Sequence, residues 1–224
     1  MASGNWIDSP YLQICIRPRA TIRAIVDRNP RERVIFLVVL TAFIGALPSL
    51  FYNPMPVSLP AGDDTLQLIS PEAIHAMNII MVVSFPVLAI PIWYLNGSFV
   101  KWLGTLVGGT ATAVEVRAAL AWSKVPGIVL EVLGLPFVVF QTPPAMSSDP
   151  QQMTAFLHHS MLWFAAGMPL ILWNLYVFLS CVAEVHRFSI WRAAGACAIG
   201  MLVVIGTLVA GGFIIMLMSL AMFR

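Results

Sequence analysis

The sequence predicts an all-α fold, a polytopic membrane protein built as a five-transmembrane-helix bundle with an N-terminal amphipathic interfacial helix. Three observations predict it. Of the 224 residues, 59% are hydrophobic and only 10% charged, and the mean hydropathy is +0.88. A soluble domain carries about 25% charged residues, so bilayer rather than water is the expected solvent. Long apolar runs recur along the chain, each close to the roughly 20 residues that cross a hydrocarbon core. Arginine and lysine fall in alternate loops, as the positive-inside rule requires of a multi-pass chain.

Residues 1–33 form a cytosolic arm. The first long apolar run comes only after Arg33 and is too long for the apolar region of a secretory signal, so no cleavable leader is expected. Ser9-Pro10 marks a helix start, Pro18 opens a second short helix, and Asn29-Pro30 closes it. On that helix Ile22, Ile25 and Val26 share one side while Arg19, Arg23 and Asp27 share another, the pattern of a helix lying in the membrane surface. Arg17, Arg19, Arg23 and Arg28 are expected to meet anionic lipid headgroups, at about 1 kcal/mol per basic side chain. Two roles stand for this arm: a topology anchor, or a docking surface for a lipid or a cytosolic partner.

Residues 34–224 form the membrane domain, with expected spans at 34–52, 74–100, 118–140, 160–183 and 193–223. The first ends in Pro54 and Pro56. The second holds Pro86 and Pro91, which predict a kink or tilt. The third is interrupted by Lys124, Pro126, Glu131 and Pro136, and the fourth by Gly167 and Pro169. The fifth has Gly195, Gly200, Gly206, Gly211 and Gly212, which let neighbouring helices approach. Helix starts are written as Ser70-Pro71-Glu72, as the capping box Thr112-Ala113-Val114-Glu115, as Asp149-Pro150 and as Ser189.

Orientation follows from the loops. Residues 1–33 carry six arginines, the second loop Lys101 and Arg117, and the fourth Arg187 and Arg192. Residues 53–73 and 141–159 carry no lysine or arginine. This alternation predicts a cytosolic N-terminus and a C-terminus across the membrane, periplasmic or extracellular.

Few residues are candidates for chemistry. Lys124 and Glu131, with Ser123, are charged or polar at membrane depth, where a charge costs about 2.5–3.5 kcal/mol on insertion scales. Seven residues separate the pair, which puts them on one face about 10 Å apart along the axis. Two readings stand: a hydrogen-bonding network that fixes packing, or a polar cavity for a proton, an ion or a lipid headgroup. Gly108-Gly109 before a helix is either a tight turn or a weak anion site. His75, His158, His159, Asp63, Asp64 and Asp149 are expected on one side as interfacial polar residues, with no metal site. His186, beside Glu184 and Arg187, reads as a loop cluster or a pH-sensitive contact. Cys15, Cys181 and Cys197 show no ligand spacing and read as reduced apolar filler. No catalytic triad, no metalloprotease motif and no cofactor motif is present, and a net charge of +2 argues against nucleic acid as a partner.

Three stretches resemble the bacterial branch of the Ypt-interacting-protein (Yip) domain family. They are Ile16-Arg17-Pro18-Arg19-Ala20-Thr21-Ile22-Arg23-Ala24-Ile25; Gly108-Gly109 with Glu115, Ala121-Trp122-Ser123 and Val125-Pro126; and Glu184-Val185-His186 with Phe188-Ser189-Ile190-Trp191-Arg192-Ala193. On this resemblance Gly108, Gly109, Glu115, Trp122, Pro126, His186, Trp191 and Arg192 are family-motif positions. It implies five spans with a cytosolic N-terminus in a bacterial inner membrane, and a non-enzymatic, membrane-organising or protein-interaction role. Eukaryotic relatives are associated with Rab GTPases, but this arm is short and basic and lacks a long cytosolic domain. The alternative expectation is a small transporter or channel that uses Lys124 and Glu131. Anionic lipids, a second copy of the chain or an unknown protein are the expected partners.

Overall fold

A computed structural model describes residues 9–51, 58–61, 64–67, 71–140 and 150–222. Helices dominate it. α1 (Pro10–Ile16) and α2 (Pro18–Arg28) form the arm, each opened by a proline at its first turn, where the missing N–H has no partner to lose. α3 (Val34–Ala46) continues as a 3₁₀ turn at Leu47–Leu50. A short antiparallel hairpin, β1 (Ser58–Ala61) and β2 (Asp64–Gln67), lies within the first loop. α4 (Pro71–Leu106), α5 (Ala113–Trp122), α6 (Val125–Phe140), α7 (Pro150–Val185) and α8 (Ile190–Met222) follow.

The helix starts written in the sequence are where the helices begin. Glu115 N donates to Thr112 Oγ1 at 3.4 Å and Thr112 N to Glu115 Oε2 at 2.6 Å, closing the capping box of α5. Ser189 Oγ accepts from Arg192 N at 3.4 Å ahead of α8. Ser70 and Asp149 lie outside the described residues, but α4 and α7 open on the prolines that follow them.

Four stretches are long and apolar enough to cross a membrane: Glu72–Leu106, Ala113–Pro136, Met153–Val185 and Ile190–Met216. The first expected span is shorter, a 13-residue α-helix extended by four residues of 3₁₀ turn. The third also departs from expectation. In place of one helix over 118–140, the chain makes α5 and α6, broken at Ser123-Lys124. The break follows from Pro126, which lacks the N–H a continuous helix would donate to Trp122 O and whose ring crowds that carbonyl. The second loop is shorter than expected, because α4 runs through Lys101 to Leu106.

The core lies at one end of the bundle. It joins Ile14, Ile22, Ile25 and Val26 of the arm to Val34, Leu37 and Val38 at the start of α3. Val116 and residues 118–122 of α5, residues 181–183 and Val185 at the end of α7, and Ala193 at the start of α8 also belong to it. Val107, just past the end of α4, packs against it. Five helical segments therefore bring alternate ends to the same place. Away from it α4 and α8 are nearly bare: only 6% of the most apolar window of each is buried, against 50% for the α5–α6 stretch.

Candidate functional site

The break between α5 and α6 builds the site. Ser123 N donates to Ala119 O at 3.0 Å and its hydroxyl to Leu120 O at 3.1 Å, so α5 closes on itself. α6 then carries Gly127 and Glu131 one turn apart on the face that continues from Lys124. Ser123, Lys124 and Glu131 all line one cavity of about 700 Å³, with Thr41 and Gly45 of α3, Trp93 and Asn96 of α4, and Asn174 of α7. The packing leaves room for the polar groups: a Cβ on Gly45 would stand 3.7 Å from Glu131 Oε1, and one on Gly127 3.6 Å from the Asn174 amide. Glu131 Oε2, Asn174 Oδ1 and Trp93 Nε1 are buried and have no hydrogen-bond partner among the described residues. Lys124 is exposed and makes no ion pair with Glu131 among those residues.

A second cluster is closed. α4 ends with Gly108 at φ +85°, Gly108 N donating to Thr105 O at 3.1 Å and Gly109 N to Gly104 O at 2.8 Å. α7 ends the same way, with Arg187 at φ 58° and Phe188 N donating to Ala183 O at 3.0 Å. Both are left-handed caps of the kind glycine favours; Arg187 takes that conformation at a cost of about 1–2 kcal/mol. The two caps face each other. The His186 ring lies against Gly104 and Gly109, where any Cβ would overlap it, and stacks on Phe188 with centroids 5.1 Å apart. Thr110 N reaches His186 O at 3.4 Å. His186 is 1% exposed, and neither ring nitrogen has a partner among the described residues. Burial pushes its imidazole below the ordinary 6.5, and the Glu115 carboxylate opposes that shift. The Gly-Gly stretch thus serves as a turn and as a seat for a histidine ring.

The arm is locked onto this end. Arg23 Nε meets Glu184 Oε1 at 3.1 Å and Arg23 Nη2 donates to Glu184 O at 2.8 Å. Trp173 Nε1 donates to Cys15 O at 3.1 Å. Tyr11 packs on the buried Trp122 with ring centroids 5.3 Å apart, and its hydroxyl accepts from Arg33 Nη1 at 2.9 Å. These contacts add two features that the sequence did not point to. The apolar face of α2 packs on α5 and α7, and Arg23 is engaged by Glu184. Arg17, Arg19 and Arg28 remain exposed, Arg28 paired with Glu32.

Among the family-motif positions, the fold brings Gly109 and His186 together, sets Glu115 in the adjoining cap and buries Trp122 and Pro126. Trp191 and Arg192 stand apart, Trp191 at 83% exposure. His158 and His159 are exposed on α7, and no group of three potential metal ligands occurs among the described residues. Sequence reasoning missed Asn174, Asn96 and Gly104. The signal for the asparagines was an amide inside an otherwise apolar run, a costly placement in hydrocarbon.

Neither the curated proteins nor the solved structures give a match to this chain. The Yip1 domain matches residues 12–222, from within α1 to the end of α8. That family is not a known enzyme family. With nearly the whole chain covered, this multi-pass helical protein belongs to the Yip1 domain family.

Proposed function

We propose that the protein is a non-enzymatic component of a bacterial inner membrane, crossing it five times, which works by associating with lipid and with other helices inside the bilayer. One observation carries this reading: the contrast between a packed, basic end and long apolar helices that meet almost nothing within the chain. Apolar helical surface on that scale belongs against acyl chains or partner helices. α3 with its 3₁₀ extension is about 28 Å long, close to a hydrocarbon core of about 30 Å, which supports counting it as a crossing. Alternate helix ends meeting at the core, with the basic residues there, support a cytosolic N-terminus and a periplasmic or extracellular C-terminus. In this reading Arg17, Arg19 and Arg28 face anionic headgroups.

Two measurements test it. Single cysteines placed at the two chain ends of a cysteine-free background should label from opposite compartments; labelling from the same one overturns the five crossings. Cysteines placed in turn along residues 201–216 of α8 should cross-link in native membranes, to a second copy or to another protein, on a face repeating every three to four residues. No adduct at any position overturns the association.

A further inference from the structure

The cavity at the α5–α6 break has a polar interior and an apolar rim. Phe85, Ile92, Ile171 and Leu175 line it, and each is more than a third exposed on a helix of spanning length. If those helices lie in a bilayer, as proposed above, the cavity opens sideways onto acyl chains. Inside, two buried acceptor atoms, Glu131 Oε2 and Asn174 Oδ1, have no donor among the described residues. Trp93 Nε1 is a buried donor with no acceptor among the described residues, and Lys124, at the break, lines the same cavity. Buried polar groups left in this state are costly unless a ligand completes them. The missing partners are an ammonium group for the two acceptors and an anion for the lysine and the indole. About 700 Å³ lies within the range of ligand pockets.

We propose that this cavity binds an aminoalkyl phosphate as the headgroup of a zwitterionic lipid of the phosphatidylethanolamine type. Its ammonium donates to Glu131 and Asn174, its phosphate accepts from Lys124 and Trp93, and its chains leave over the apolar rim. Lysine suits the phosphate because its ammonium is a compact charge on a flexible stem. The carboxylate selects the head: a phosphatidylglycerol lipid supplies the phosphate but has no cation for Glu131.

The test is native mass spectrometry of the full chain, delipidated in detergent and titrated separately with phosphatidylethanolamine, phosphatidylglycerol and water-soluble O-phosphoethanolamine. Phosphatidylethanolamine should bind best. Glu131→Gln, which keeps the side chain's shape, and Asn174→Leu should each weaken it by roughly tenfold or more. Lys124→Gln, at an exposed position, gives the same readout if a buried variant fails to fold. Equal binding of the two lipids, or unchanged binding in Glu131→Gln and Lys124→Gln, overturns the proposal. O-phosphoethanolamine binding as tightly as the lipid overturns the bilayer as the source of the head. Labelling of the chain ends is independent of this site, so a failure of the crossings and a failure of the cavity are told apart.

Discussion

The packed end and the long bare helices are made from similar residues and behave as different materials. At the packed end Ile14, Ile22, Val116 and Trp122 are enclosed by protein, and arm, caps and helix ends are tied by directional contacts. Along α8, Leu202, Leu208, Val209 and Ile215 are each at least two-thirds exposed. In water the second set would be the unstable one. In a bilayer apolar surface gains nothing by moving from lipid to protein, so association rests on packing fit and hydrogen bonds. The difference teaches that the stability of this chain is concentrated where shapes interlock, and that its long helices leave most of their apolar surface uncovered by the chain itself.

The largest break in that contrast should come from Trp122→Ala. The ring is 1% exposed and rests on Tyr11 of the arm, so truncation leaves a cavity and unseats α1, at about 3–5 kcal/mol. Thermal unfolding in detergent should show a lower melting temperature for this variant than for Gly104→Ala, Arg23→Gln or Leu208→Ala. Gly104→Ala comes next. Its methyl would overlap the His186 ring between two tight helix ends, an overpacking worth about 1–3 kcal/mol. His186→Ala in the same chain should recover part of the loss, and additive losses would mean that ring and glycine do not share the site.

Arg23→Gln tests the clamp. Both side chains of the Arg23–Glu184 pair are about a quarter exposed, so solvent screens the pair, and the expected loss is roughly 1–2 kcal/mol. Limited proteolysis should release the arm faster from this variant than from Arg19→Gln, whose side chain is exposed. Titration of His186 adds a slope smaller still, because Glu115 offsets part of the effect of burial. The folded imidazole titrates below its ordinary 6.5, so above that value the ring is neutral in both states and the cage keeps its full contribution. As pH falls below it the unfolded chain takes the proton first, and stability declines down to the lowered folded value. In His186→Gln the melting temperature should change less between pH 7 and pH 5 than in the wild type.

Much of the architecture was legible in the residues because caps and prolines act locally. Ser9-Pro10, Pro18, Asn29, Thr112-Glu115 and Ser189 mark helix ends that the fold keeps. What an apolar residue faces is a long-range property. Ile22 and Leu208 look alike in sequence, yet one is enclosed by α5 and α7 and the other is 70% exposed. Arg23 and Glu184 are 161 positions apart, and nothing near either names the other. The cavity was half legible. A lysine and a glutamate in an apolar run point to a polar interior, but Asn174, Trp93 and the bare Gly45 arrive from three other helices, and only the packing collects them.

The smallest effect is the sharpest test of the contrast. Leu208→Ala removes a branched side chain that is 70% exposed on α8. In a soluble core a leucine truncation costs about 2–5 kcal/mol. Here the side chain leaves lipid for lipid, no protein cavity opens, and alanine favours helix slightly more than leucine does. The melting temperature of the isolated chain should therefore correspond to a change within about 0.5 kcal/mol. A larger loss in the isolated chain would show that α8 folds back onto the bundle and that its bare face is not lipid-facing. A loss seen only in native membranes, together with weakened cross-linking, would place Leu208 in the contact with a neighbouring helix.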